Sequence, residues 1–352
     1  MRDSSLGAFW SEVVAFARAE VLPHILEWDR TAAVPRELWR TLGKKGWLGL
    51  PLPSECGGSG ASARRTAVAL DAFAYGSKDL GIVNSWGCHM AMAGMAIVAG
   101  GSVEQHRRYL PHMATGETIA SFALTEPEAG SHAAAIRTRA VRAGDGYVLD
   151  GEKCFVTNGP IADLFVVIAR MEVDGKERPT AFIVERGAPG LVVQPQREKS
   201  CIRTSPLCDL RLEHCRVAAS QRLGEPGRAF ETLVLPALDW DRCVVWAGRL
   251  GRLRNILEDS VAYARRRQQF GKPIGQHQAI AFKLADIKVA LAAAEQLLSR
   301  ALSDLDEGRS ARVSAAVARL FLGESVMAAA ADAAQVYGGY GFYPGNHVER
   351  YY

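Results

Sequence analysis

Phe122-Ala123-Leu124-Thr125-Glu126-Pro127-Glu128-Ala129-Gly130-Ser131 is the stretch around which this chain changes its grammar. On its N-terminal side apolar residues recur every three or four positions. Phe9, Trp10, Val13, Val14, Ala17, Val21 and Ile25 set that rhythm, which predicts helix through most of residues 5–115. Pro35 stands where a first helical turn tolerates it, and Gly43 and Gly46 close that segment. On its C-terminal side the runs are short and β-like. Ala140 to Leu149 predicts a hairpin around Asp145-Gly146, and Phe165–Ile168 and Ala181–Val184 flank an Asp174-Gly175 turn. Leu191–Val193 and Leu207–Leu212 supply further strand. From residue 226 the helical period returns, with a stripe of Ile280, Leu284, Ile287, Leu291, Leu298 and Leu302. Ala311 to Val336 is apolar nearly all round, which predicts a helix buried in a bundle. The expectation is three domains: α-helical over 1–117, an antiparallel β barrel or sandwich over 118–224, and a helical bundle over 225–352.

Composition agrees with that division. A chain of 352 residues exceeds one ordinary core, and 48% hydrophobic with 23% charged residues is the mix of a globular protein. A net charge of +4 gives no indication of nucleic acid, though it suits an anionic ligand or an acidic partner protein. Seven cysteines without a CxxC pair argue against a disulfide framework or a zinc site and point to reduced thiols in a cytosol. No metal is expected. The N-terminus, with Arg2, Asp3 and Glu12, lacks an apolar signal core. Gly81 to Gly100 contains Asn84, His89 and several glycines, so it reads as a loosely packed buried helix and not as a membrane span.

Four segments carry candidate chemistry. Phe122–Ser131 reads as a strand running into a turn whose hydroxyls and backbone N–H groups suit an anionic or heteroaromatic ligand. In Gly151–Gly159, Phe155, Val156 and Thr157 can pack a flat ring and donate one hydrogen bond to it. Arg265 to Gln278 is a basic link between helices, suited to phosphate. Gln335-Val336-Tyr337-Gly338-Gly339 ends a helix with paired glycines that allow close backbone approach. Taken singly, each is equally well a turn, a helix stop or a solvated charge run.

Taken together, in this order and at these separations, the four resemble the acyl-CoA dehydrogenase family from Pro35 to Tyr352. Val34-Pro35-Arg36-Glu37-Leu38-Trp39, Pro53–Gly58, Leu284-Ala285-Asp286 and Val348–Tyr352 add further matches. The resemblance implies a C-terminal four-helix bundle that mediates assembly as a homodimer or homotetramer, and it implies FAD. It places Phe122, Leu124, Thr125, Gly130, Ser131, Phe155, Val156 and Thr157 along the flavin. It places Arg267, Gln269, Phe270, His277, Gln278, Gln335, Gly338 and Gly339 at the diphosphate and adenosine, largely from a neighbouring subunit. Ser131, Asp239 and Arg242 match positions that contact the thioester arm. His132 stands where the family usually has Asp.

The family's reaction needs a carboxylate that removes the substrate's Cα proton while hydride leaves Cβ. In most members that base is a Glu in an Ile-Tyr-Glu-Gly-Thr stretch after the Glu-Arg-Tyr-Tyr segment. Here the sequence stops at Tyr352, so the base is either a residue beyond it or Asp241. Asp241 lies in Leu238-Asp239-Trp240-Asp241-Arg242, which matches the minority family segment Leu-Asp-Leu-Glu-Arg. The resemblance implies a cytoplasmic dehydrogenase of acyl thioesters. The first expectation is an acyl-carrier-protein substrate from polyketide extender-unit (hydroxymalonyl or methoxymalonyl) biosynthesis, with Arg249, Arg252, Arg254, Arg265 and Arg266 as a basic rim. A short or branched acyl-CoA dehydrogenase and a non-catalytic FAD-binding scaffold are the alternatives. Neither nucleic acid nor membrane is an expected partner, and the electron acceptor is not indicated.

Overall fold

The computed structural model describes residues 4–351. Helices come first: α1 (Ser4–Phe16), α2 (Ile25–Thr31), α3 (Arg36–Lys44), α4 (Ala63–Ser77), α5 (Gly81–Gly87), α6 (Met95–Gly100) and α7 (Val103–Thr115). Ser62 caps α4 by accepting from the Arg65 amide at 3.2 Å, and Ser102 with Gln105 forms a reciprocal capping box on α7. A π-helical segment, Cys88–Gly94, joins α5 to α6, so Gly81–Gly100 is one buried helix, as its composition predicts.

The sheet follows: β1 (Ala120–Ala123), β2 (Arg139–Ala143), β3 (Gly146–Thr157), β4 (Leu164–Val173), β5 (Lys176–Glu185), β6 (Leu191–Val193), β7 (Leu207–Ala218) and β8 (Arg222–Leu223). The order is β6-β7-β3-β2-β4-β5-β8, with β1 beside β4. Inner-face residues of β3, β4, β5 and β7, among them Tyr147, Leu149, Phe165, Phe182 and Leu210, share one core. The opposite face of β1, β4 and β5 packs on the helices through Phe122, Val166 and Ile183. The pairing is not wholly antiparallel, because β1 and β2 each run parallel to β4. A chain that reaches β1 from a helical layer is free of the hairpin constraint that makes neighbouring strands antiparallel. The first hairpin also turns one residue earlier than its sequence suggests. Ala143 pairs with Gly146, so Gly144 and Asp145 make the turn. Gly144 supplies the positive φ of +61°, while a Cβ on Gly146 would meet the Val217 carbonyl oxygen at 2.4 Å.

The C-terminal layer contains α8 (Leu235–Cys243), α9 (Gly248–Arg266), α10 (Gln278–Asp306) and α11 (Arg312–Tyr337). Two expectations change here. First, α11 is not buried all round: Val313, Val317, Leu320 and Met327 form an exposed stripe, continued by Phe282 and Val289 on α10. Among the described residues, two helices are long and apolar enough to cross a membrane, Gly81–Gly100 and Arg312–Phe342, and of these the first is mostly buried and the second is not. An apolar composition reports what a helix can bury, without saying whether its own chain supplies the cover. Second, the arginines of α9 do not form one basic rim. Arg252 and Arg254 are buried. Arg254 pairs with Asp71 and Glu295, and Arg252 lies 4.9 Å from the centre of the Tyr351 ring. Of the five, Arg265 and Arg266 are exposed and Arg249 is half-buried. The cause is the position of α9, which packs against α4, α10 and α11 at once.

That packing depends on Gly251, where an added Cβ would lie 2.3 Å from the Asp71 carbonyl oxygen of α4. Backbone cannot yield as a side-chain tip can. Gly251→Ala is therefore expected to cost about 2 kcal/mol or more. Urea denaturation of the variant beside wild type measures it, and an unchanged midpoint would refute the close approach.

Candidate active site

The first two predicted segments come together. The Cys154 amide donates to the Thr125 carbonyl at 2.9 Å, and Lys153 Nζ donates to the Leu124 carbonyl at 3.0 Å. Ser121 Oγ donates to the Thr157 carbonyl. Phe122 and Leu124 are buried in the core between sheet and helices, and the Val156 side chain is buried inside the sheet's own core. These three offer backbone, not side chains, to a ligand. Thr125 and Thr157 are half-buried, and Gly130, Ser131 and His132 are exposed. Phe155 is 59% exposed and has a φ of +56°, so a large apolar ring is held outward by a left-handed backbone. The shelf beneath it is fixed by a buried ion pair that the sequence reading did not isolate. Glu126 accepts from Lys153 Nζ at 2.7 Å and from the amides of Arg137 and Thr138. Burial alone would raise Glu126's pKa; Lys153 and these donors hold it below its ordinary value, while burial pushes Lys153 down to about 8.

The third and fourth segments also meet. Arg267, Gln269, Phe270, His277, Gln335, Gly338 and Gly339 line one cavity of about 650 Å³, whose wall includes the stacked Tyr263 and Tyr337 rings 4.1 Å apart. His277 Nε2 lies 3.2 Å from the Gln269 carbonyl oxygen. Phe270 is 93% exposed. Gln278, at the start of α10, does not line this cavity. Nor does any residue of the first cluster. The predicted cofactor contacts therefore form two groups within one chain.

Asp241 belongs with the first group. The segment Cys88–Gly94 packs against both β1 and α8. Cys88 Sγ lies 3.9 Å from the Thr157 carbonyl oxygen and against the Phe122 amide, and it also feels the charge of Asp241. Burial pushes this thiol up to about 12, so it stays neutral. Asp241 is half-buried and makes no hydrogen bond or ion pair among the described residues. Burial raises its pKa, with Arg249, Arg319 and Arg242 opposing the rise. Asp239 is buried and already paired, with Arg242 at 3.2 Å and Arg312 at 3.9 Å. Next to Cys88, His89 joins the helix to the sheet: its Nδ1 accepts from the Ala120 amide at 3.0 Å, and its Nε2 lies 3.1 Å from the Met113 carbonyl oxygen. Asn158 adds a second tie, its Nδ2 donating to the carbonyls of Ser85 and Ala120. The one sequence signal for His89 was a polar residue in the middle of an apolar helix.

Three family models match in chain order: the N-terminal domain of acyl-CoA dehydrogenases over residues 5–117, the middle domain over 121–215 and the C-terminal domain over 232–352. The chain belongs to the acyl-CoA dehydrogenase family. It is 39% identical to the L-prolyl-[peptidyl-carrier protein] dehydrogenase of Pseudomonas fluorescens over 305 residues, which span 86% of this chain and 80% of that one. The crystal structure of the prolyl acyl carrier protein oxidase AnaB superposes with a TM-score of 0.95 at 34% identity, covering 100% of this chain and 93% of the other. The FAD complex of PigA superposes with a TM-score of 0.95 at 30% identity, covering 100% and 92%. This acyl-CoA dehydrogenase family member is thus a flavin-dependent oxidoreductase of acyl thioesters, and FAD is its cofactor. The residues present fit that group. One cluster offers an exposed aromatic ring, two half-buried threonines and turn amides. The other offers a roomy aromatic cavity with one arginine and a glycine pair that leaves its floor open.

Proposed function

We propose that this chain dehydrogenates an acyl group carried as a thioester on a carrier protein, with Asp241 as the base. The observation that carries the reading is the Asp241 carboxylate. Among the described residues it has no hydrogen-bond or ion-pair partner, burial favours proton uptake, and Cys88, which feels its charge, touches the Phe122 and Thr157 backbone of the proposed flavin site. Asp241 takes the Cα proton, and Thr125 and Thr157 hold the ring edge. Bound FAD supplies the acceptor for the hydride that leaves Cβ. Arg242, anchored by Asp239, and Ser131 line the approach of the thioester arm. Arg267, Gln269, Phe270, His277, Gln335, Gly338 and Gly339 hold the diphosphate and adenosine of the flavin bound to a second copy, with Gln278 at the margin. That division explains why the two clusters lie apart in one chain. The apolar stripe on α10 and α11 gives the second copy a surface to cover. Similarity to enzymes of carrier-bound prolyl groups supports a carrier substrate, and supply of polyketide extender units is the pathway class we assign. A cytoplasmic location goes with it.

The test is anaerobic. Protein loaded with FAD is mixed with one acyl group presented either on a carrier protein or on coenzyme A. We expect the flavin absorbance to bleach with both and faster with the carrier. Bleaching with coenzyme A alone would reassign the chain to acyl-CoA oxidation. No bleaching with either would leave it a flavin-binding scaffold.

A further inference from the structure

After α8 the chain makes one 3-10 turn, Val245–Ala247, and enters α9, whose first turn carries Arg249. The Arg249 guanidinium lies 4.4 Å from the centre of the Trp246 ring, and Arg319 of α11 lies 4.6 Å from the same ring. Arg249 Nη1 is sealed from solvent and has no hydrogen-bond partner among the described residues. Burial pushes Arg249 down to about 10, and Asp241 is the neighbour whose charge most favours its protonated form. In return, Arg249 is the cation that most lowers Asp241. Yet the two make no ion pair within 4.0 Å. The two opposite charges therefore feel each other from beyond ion-pair distance.

A buried guanidinium with an orphan donor is costly unless something accepts from it. The fork of an arginine matches a carboxylate in shape and charge. The surrounding balance points the same way. Arg242, Arg249, Arg312 and Arg319 gather around Asp239 and Asp241, and Asp239 is already used by Arg242 and Arg312. The surplus is positive, so a cationic acyl group would be repelled and an anionic one drawn in.

We propose that Arg249 receives a carboxylate carried by the acyl group, so that the substrate is a monothioester of a dicarboxylic acid. This rests on the placement of Asp241 as the base. In the step itself one C–H bond at Cα gives its proton to Asp241 and one at Cβ gives its hydride to the cofactor. A carbon–carbon double bond forms, and the carboxylate on Arg249 is unchanged. Arg249 is a specificity residue that the family resemblance did not mark.

The experiment compares carrier protein loaded with succinyl, butyryl or prolyl groups on the FAD-loaded enzyme. Succinyl is expected to exceed butyryl in kcat/KM by about 100-fold. Arg249→Gln should reduce that ratio towards one, and Arg249→Lys should keep part of it. A binding readout runs beside it: calorimetric titration with the non-oxidisable thioether analogues of the succinyl and butyryl pantetheine esters. The same preference should appear in Kd and fade in Arg249→Gln. Butyryl or prolyl oxidised as fast as succinyl by wild type would overturn the proposal while leaving the thioester dehydrogenase intact. A ratio unchanged in Arg249→Gln that still binds FAD would also overturn it. Failure of every thioester to bleach the flavin would instead strike the underlying functional reading.

Discussion

With Asp241 as the proposed base, Asp241→Asn is expected to lower kcat by roughly 10³-fold while FAD content stays at the wild-type level. The amide keeps the shape of the carboxylate and removes its basicity, so a purely structural role would show little loss. Asp241→Glu restores the side-chain length of the family's usual base and should keep measurable turnover. The pH profile gives a second signature. Burial raises Asp241 above its ordinary 3.8, so the acidic limb of kcat should fall at a higher pH than an exposed carboxylate would give. Stability moves in a linked way. The folded chain holds this proton to higher pH than the unfolded chain does, so Asp241 subtracts stability as pH rises from 3.8 through its raised value. Asp241→Asn is released from that cost and should melt no lower than wild type at neutral pH. Full turnover in Asp241→Asn would remove the residue from the chemistry.

The second large effect lies in the buried Glu126–Lys153 pair beneath the proposed flavin site. Glu126→Gln leaves the Lys153 ammonium at zero exposure with no opposing charge, which costs about 3–5 kcal/mol. Lys153→Met should cost less, because Glu126 keeps the Arg137 and Thr138 amides as donors. The two variants together separate a buried charge from lost packing. Since Lys153 also holds the Leu124 carbonyl, weakened flavin retention should accompany both. Urea denaturation followed by fluorescence, with flavin release read in parallel, decides it. A Glu126→Gln protein within about 1 kcal/mol of wild type would show that water reaches the pair.

Much of this was legible from periodicity alone. The switch from a 3.6-residue to a 2-residue rhythm near Phe122 marks the first sheet strand, and the return at 226 marks the last helices. What stayed hidden depended on neighbours distant in sequence. Lys153 sits in a strand whose local pattern would let a lysine face solvent, and only Glu126, 27 residues earlier, makes its burial tolerable. Arg252 and Arg254 read as a wet helix face until α4, α10 and α11 close around them. The stripe on α11 is the reverse case, where the sequence shows the need for cover and one chain does not meet it. The motif-bearing stretches Phe122–Ser131 and Phe155–Thr157, marked in the sequence by order and spacing, do meet in the fold. No local pattern marks Cys88, and Arg249 reads in the sequence only as one arginine of a basic rim.

The π-helical turn that carries His89 has a consequence for reading any acid-sensitive behaviour. Both ring nitrogens are committed, one to an amide and one to a carbonyl, so the imidazole is locked in a single neutral tautomer. Its burial pushes protonation down to about pH 4. In ordinary buffers His89 thus gains no charge at the seam between the helical layer and β1. Activity lost as pH falls, while still above that point, therefore has a source other than His89, and Asp241 is the carboxylate we propose for it.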